Sequence, residues 1–159
     1  METVTVETVT VRRVIEAPIT EVFDWCATTT HYTRSPYVLR ARLARPGAGA
    51  PYGVGAVRRH TWLIGWFEER ITAYRAPHAF DCTVDRSFPP ARHDSGRMTF
   101  QGVPGGTLVI WTTGFALPVP VLGPVLARRV AGPVIGHVFR GILDAAAAEL
   151  ETSRTRPPR

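Results

Sequence analysis

Ile15-Glu-Ala-Pro-Ile-Thr-Glu-Val-Phe-Asp-Trp25 is the stretch on which the fold turns. Ala17-Pro18 ends an extended segment and opens a helix, because proline's fixed φ suits the first helical position and its missing N–H costs nothing there. Ile19, Val22, Phe23 and Cys26 then recur at i, i+3, i+4 and i+7, the spacing that lays one apolar stripe along a helix. Upstream, Glu2-Thr-Val-Thr-Val6 is repeated directly as Glu7-Thr-Val-Thr-Val11. The copies are offset by an odd number of residues, so on one continuous strand their valines point to opposite faces. Only one copy fits, and the second predicts Val9, Val11 and Ile15 facing inward. Thr28-Thr29-Thr30 ends the helix, and His31 to Pro36 reads as a second short helix or a turn.

Beyond Pro36 the pattern becomes strand-like. Val38 to Arg45 is one strand, Pro46 to Pro51 a loop, and Val54 to Trp62 pairs with Trp66 to Ala73 around Gly65. Phe80 to Ser87 alternates most cleanly, with Phe80, Cys82, Val84 and Arg86 on one face. Arg97 to Gln101 and Thr107 to Leu117 flank Val103-Pro-Gly-Gly106, a hairpin connection, and Val109, Trp111 and Phe115 share a face. Pro118, Pro120, Pro124 and Pro133 punctuate the apolar segment that follows. Pro133 starts or kinks a final helix, Val134 to Leu150, with Val134, Val138, Ile142 and Ala145 on one side. A strand, a helix, an antiparallel meander and a long helix make an α+β domain with helices on one face of a sheet.

The chain has 159 residues, 45% hydrophobic and 20% charged, the size and composition of one globular domain. Residues 1–152 read as that domain and 153–159 as a disordered basic tail. No uninterrupted apolar run is long enough to span a bilayer: Met98 to Ala127 is uncharged, but glycine, threonine and proline break it into strand and loop. The opening residues lack the basic and apolar segments of a signal peptide, and Cys26 and Cys82 stand apart from other metal-ligand side chains. Free thiols in a cytoplasmic protein are the expectation. The formal charge of +6 raises nucleic acid as a partner, but the 19 basic residues, all arginine, are scattered rather than gathered on a helix face. That argues against a groove binder. No HExxH, GxSxG, P-loop or GxGxxG is present, so neither a metal nor a cofactor is expected.

This order of elements, with these residues in it, resembles the SRPBCC superfamily of START and pollen-allergen-like helix-grip proteins, and within it the polyketide cyclase/dehydrase-type branch. Three stretches carry the resemblance: Ile15 to Trp25; Val54-Gly-Ala-Val-Arg58 with Glu69-Arg-Ile-Thr-Ala-Tyr-Arg-Ala-Pro77; and Gly106-Thr-Leu-Val-Ile-Trp111. It implies a helix-grip fold, a curved antiparallel β-sheet wrapped around a long C-terminal helix, with two short helices after strand 1. It also implies an apolar cavity between sheet and helix, with Gly136 and Gly141 leaving the room. Such cavities hold a lipid, sterol, polyketide or similar apolar molecule.

Arg58 and His60 share the inward phase of Ala56 and Trp62. One reading has Arg58 polarising a ligand carbonyl or carboxylate with His60 as acid–base partner. The alternatives are a bulge that turns both outward, or a structural pair between Arg58 and a carboxylate such as Glu69. Arg86 gates the cavity mouth or forms a solvated rim, with Asp94 as its natural partner; His93, out of phase with Met98 and Phe100, defaults to an exposed loop. The resemblance puts Trp25, Tyr32 and Tyr37 on one cavity wall, where either tyrosine can donate to a ligand. Trp62, Val84, Met98, Phe100, Trp111 and Val138 complete the expected lining, and His137 is a further candidate.

Three functions follow. The first is a carrier or sensor of a small hydrophobic ligand. The second is an aromatase/cyclase-like enzyme that orients an aldol condensation by proximity, with Arg58 stabilising the enolate and Tyr37 or His60 moving protons. Against it, the sequence shows no clear carboxylate–histidine pair. The third is an interaction protein, toxin-like or quinone-chaperone-like, acting through the apolar segment Leu117 to Val125. Ligand identity and oligomeric state are not encoded in any motif of the chain.

Overall fold

The N-terminal repeat resolves as its odd offset requires. In a computed structural model, which describes residues 4–155, strand β1 is Glu7–Ile15. Val11 and Ile15 are buried and Val9 is half-buried against the core, whereas Val4 and Val6 of the first copy stand exposed ahead of the strand. Six further strands follow: β2 Val38–Arg45, β3 Val57–Trp62, β4 Gly65–Arg75, β5 Ala79–Phe88, β6 Arg92–Val103 and β7 Gly106–Ala116. Together they form one antiparallel sheet in the order β1-β7-β6-β5-β4-β3-β2. Each meander strand pairs with its successor, and β1 returns to lie beside β7 with Val11 opposite Trp111. Register shifts within the β2–β3, β4–β5 and β6–β7 pairs bend the sheet, as extra residues in one strand do.

Helix α1, Ile19–Ala27, and a 3₁₀ turn, Thr29–Arg34, are the two short helices after strand 1. Phe23 of α1 enters the concave face edge-on to Tyr74, Phe80 and Phe100, with centroids 5.4, 5.9 and 5.1 Å away. The turn into β7 sits hard against β1: a Cβ on Gly106 would lie 2.2 Å from the Ile15 carbonyl oxygen, so only glycine fits there.

The C-terminal helix begins earlier than the prolines suggest. Helix α2, Gly123–Leu126, runs through one π-helical turn, Ala127–Ala131, into α3, Gly132–Thr155. Pro124 occupies the first turn, where no intrahelical N–H bond is lost. Pro133 does not start the helix; it follows the π turn, whose wider hydrogen-bond spacing absorbs the missing donor. The buried stripe of α3 runs through Val138, Phe139, Ile142, Leu143, Ala146 and Ala147, with Val134 and Ala145 at its margins. The run of alanines hid that rotation, because it carries little hydropathy contrast. Gly136 and Gly141 do not leave room for a cavity: Gly136 lets the helix approach Val9, and Gly141 faces the Tyr37 ring.

The meander is otherwise as the alternation indicates, except that β3 starts at Val57 and β6 starts at Arg92 rather than Arg97. Ser153 to Thr155 form the last turn of α3, so a tail drawn from 153 begins inside the helix. Its remaining residues, 156–159, lie outside the described residues. Among the described residues no helix is long and apolar enough to cross a membrane.

Candidate functional site

Residues in the first half of the C-terminal helix, Val130 to Phe139, roof a cavity of about 420 Å³ over one end of the concave face. Its walls alternate by strand. His60 and Trp62 come from β3, Phe67 and Glu69 from β4, and Cys82 and Val84 from β5. His93 comes from β6, while Trp111, Thr113 and Phe115 come from β7. The helix contributes Val130, Ala131, Val134, Ile135 and Phe139, and Ile64, Phe88 and Leu117 stand at the mouth. The other end of the concave face is filled by α1 and the second half of α3. A wider groove of about 800 Å³ runs past Glu16–Pro18, Gly105–Gly106 and Glu151–Thr155, but it is open and bordered by charged groups.

The polar centre of the cavity beneath the helix is Glu69. Pairing of β3 with β4 sets Arg58 opposite Glu69 and His60 opposite Phe67. Arg58 Nη2 lies 2.5 Å and His60 Nε2 2.8 Å from the same oxygen, Glu69 Oε1. All three residues are buried. Burial raises the Glu69 carboxyl pKa, but the Arg58 guanidinium and then His60 outweigh that and hold it well below the usual carboxylate range. Burial works against the Arg58 charge in the same way, and Glu69 more than restores it. The guanidinium also lies 5.2 Å from the Phe80 ring centroid. Burial pushes the neighbouring Cys82 thiol and the Tyr32 phenol well up, so both stay neutral.

An ionised carboxylate only accepts, so His60 Nε2 carries the proton and donates to Glu69. Its other nitrogen, Nδ1, has no partner, and neither has Trp62 Nε1. Phe67 stacks on His60 at 4.7 Å and meets Trp62 edge-on at 4.8 Å. Trp111 and Phe139 stack at 3.8 Å on the facing side. Tyr32 and His93, also in the lining, have partners. Tyr32 donates its hydroxyl to the Cys26 carbonyl at 2.6 Å. His93 Nδ1 accepts the Val84 N–H at 3.1 Å, so Nε2 is its protonated nitrogen and donates to Thr113 Oγ1 at 2.8 Å. Burial holds His93 below its ordinary pKa.

Of the residues expected to line the cavity, the structure gathers Tyr32, His60, Trp62, Val84 and Trp111. Arg58 faces inward but lies behind Glu69 and does not line the space; it holds a structural ion pair instead. Tyr37 does not line the cavity, and its hydroxyl is hydrogen-bonded with His137 Nε2 at 2.7 Å. Trp25 donates Nε1–H to Glu149 Oε2 at 2.7 Å, between α1 and α3. Met98 and Phe100 are core residues in the filled part of the sheet, and Val138 is packed into the core away from the opening. In each case the inward phase is right but the position falls where α1 and α3 occupy the face. Arg86 is exposed and pairs with Glu68 at 3.0 Å rather than with Asp94. His93 is not in an exposed loop, because the irregularity between His93 and Ser95 turns its ring inward. Phe67, Phe115, Ile135 and Phe139 were missed; Glu69 was foreseen as a structural partner of Arg58, which it is, but not as a lining residue or a partner of His60. The hairpin register, Trp62 opposite Gly65 and Arg58 opposite Glu69, is the signal that finds Glu69. The segment that follows β7 is exposed beside the mouth, with Val121 92% accessible and Leu122, Val125 and Val130 also in solvent.

A search of curated protein sequences finds no match. Among solved structures, the Zhui aromatase/cyclase from Streptomyces sp. R1128 superposes with a TM-score of 0.78 at 18% identity, over 96% of this chain and 97% of that one. A START superfamily protein from Mycobacterium smegmatis gives 0.69 at 13% identity, over 92% and 97%. Ginseng major latex-like protein 151 from Panax ginseng gives 0.69 at 13%, over 91% and 97%. These likenesses establish the helix-grip fold that the seven-stranded sheet and long helix already display. The family model for polyketide cyclase/dehydrase and lipid transport proteins matches residues 6–153, nearly the whole chain, and the chain belongs to that family.

Proposed function

We propose that the protein binds a small hydrophobic molecule in the cavity beneath the C-terminal helix, as a carrier or sensor. The observation that carries this reading is the 420 Å³ space itself, walled mainly by aromatic and aliphatic side chains with few polar groups among them. Protein interiors are otherwise packed to crystal density, so unfilled apolar space forfeits contacts that a ligand would restore. The volume is in the range of small-molecule sites. Native mass spectrometry with the neutral dye N-phenyl-1-naphthylamine tests it. One dye per chain is expected at micromolar concentrations; absence of a complex would remove the proposal.

A second reading, a cyclase-like catalyst, gains support from the His60–Glu69 pair that the sequence did not disclose. A carboxylate bonded to one imidazole nitrogen fixes the ring and leaves the other nitrogen to take or give a proton. In that role Arg58 acts through Glu69, by keeping it ionised. Incubation with a linear β-polyketone separates the readings. A catalyst returns a cyclised, dehydrated product with wild type and none with His60→Phe, whereas a carrier returns the compound unchanged.

A further inference from the structure

Among the described residues, most of the large hydrophobic side chains left in solvent gather at the cavity mouth. Ile64 comes from the turn between β3 and β4, Phe88 from the end of β5, and Val121, Leu122, Val125 and Val130 from the segment entering the C-terminal helix. Each is at least 45% accessible. The patch is continuous: Ile64, Phe88 and Val130 line one opening, and Gly65 lies directly against the Phe88 backbone. Scattered apolar residues need no explanation, but a cluster around an opening marks a surface that something apolar covers.

The charge around the patch has one sign. The chain carries no aspartate or glutamate between Asp94 and Asp144, while Arg128 and Arg129 stand exposed between Val125 and Val130. Arg92, also exposed, follows Ala91 of the cavity mouth. None of these three arginines is ion-paired among the described residues, whereas the acids of the adjoining strands, Glu68 and Asp85, are held by Arg86 and Arg70. Glu7 and Asp94 lie against Gly132 and Gly114. The backbone of the tip is also suited to an apolar medium, where unbonded N–H groups are costly. Pro118, Pro120 and Pro124 have no N–H, and Leu122 and Gly123 donate to the Pro120 and Val119 carbonyls.

We infer that this rim docks onto an anionic lipid surface, with Val121, Leu122 and Val125 entering the acyl boundary and Arg128 and Arg129 meeting the phosphates. Apolar side chains flanked by exposed cations are the composition that binds at such an interface without spanning it. The shape favours a bilayer over a flat protein face, because Val121 is 92% accessible and projects as a tip. A docked rim also opens the apolar cavity toward lipid rather than water, so an apolar molecule passes between the two without crossing solvent. The inference goes beyond ligand binding itself, which needs no membrane.

Vesicle flotation of the full chain tests it, with vesicles of phosphatidylcholine alone and of phosphatidylcholine and phosphatidylglycerol in equal parts. Wild type should float with the anionic vesicles, and less so as salt is raised. The double variant Val121→Asp, Leu122→Asp should partition at least about tenfold more weakly, and Arg128→Gln, Arg129→Gln about tenfold more weakly. Aspartate tolerates the positive φ of residue 121 better than valine does, so the first variant keeps its fold. Val54→Asp, an exposed valine before β3 and at the far end of that strand from the mouth, should partition within about twofold of wild type. Dye binding measured without vesicles should stay within about twofold in every variant, and it is that measurement, not flotation, that the cavity reading stands or falls on. Failure of wild type to float, equal flotation with both vesicles, or a loss in Val54→Asp as large as in the rim variants overturns the inference. So does a dimer in sedimentation that the rim variants abolish while vesicles are ignored, which would assign the patch to a second copy of the chain.

Discussion

Glu69 ties three buried side chains together, and its replacement separates structural from ligand effects. Glu69→Gln leaves the Arg58 guanidinium buried without its counter-charge, so unfolding free energy should fall by about 3–5 kcal/mol in urea titrations. The pH dependence follows from the depressed carboxyl. Its ordinary value is 4.5, so its contribution is complete above that pH and drains away as pH falls below it toward the lower folded value. Wild type should therefore lose stability more steeply than Glu69→Gln on acidification below about pH 4.5. At Val121, φ is +64°, a conformation that a β-branched residue adopts at a cost. Val121→Gly should raise stability by about 0.5–1 kcal/mol, less the entropy glycine adds to the unfolded chain; an unchanged melting temperature would contradict that. At this scale the inward phase of Arg58 and His60 was readable from alternation. The Arg58–Glu69 pair was one of the readings the sequence allowed; the His60 bond to the same oxygen was not readable, because a phase names a face and says nothing of which cavity waits there.

Among the elements, the hairpin leading into β7 depends on glycine at Gly105, with φ +87°, and at Gly106, but not at Gly102 on the strand before it. Gly106→Ala drives a Cβ into the Ile15 carbonyl and should cost about 1–3 kcal/mol. Gly102→Ala, in open space on the preceding strand, should be neutral or slightly stabilising. Equal effects in thermal melts would contradict the packing described here. The strand β2 was readable to the residue, because Val38 to Arg45 is bounded by proline on both sides. The start of the last helix was not. Four prolines look like loop, yet Pro124 sits in a first turn and Pro133 follows a π turn, positions where proline is tolerated. The tail end of that helix escaped for the opposite reason, since polar residues extend α3 to Thr155 without any apolar stripe.

For the whole molecule, the resemblance carried by Ile15 to Trp25 and Gly106 to Trp111 sufficed for the sheet, the helix and the existence of a cavity. The cavity's position was not contained in it. Which end of a concave face stays open is decided by bulk: Phe23 and Leu143 fill one end, while Val130, Ala131, Val134 and Ile135 leave the other free. Five of the expected lining residues fall in the open end, and Arg58, Tyr37, Trp25, Met98, Phe100 and Val138 fall outside it. The most direct measurement is a fluorescence titration of N-phenyl-1-naphthylamine into wild type and Ala131→Trp, whose indole projects from the helix into the open space. Wild type should saturate at one dye per chain, and the filled variant should bind at least about tenfold more weakly while remaining folded. Equal affinity in the two proteins would mean that the dye sits elsewhere, and the cavity would no longer account for what this protein does.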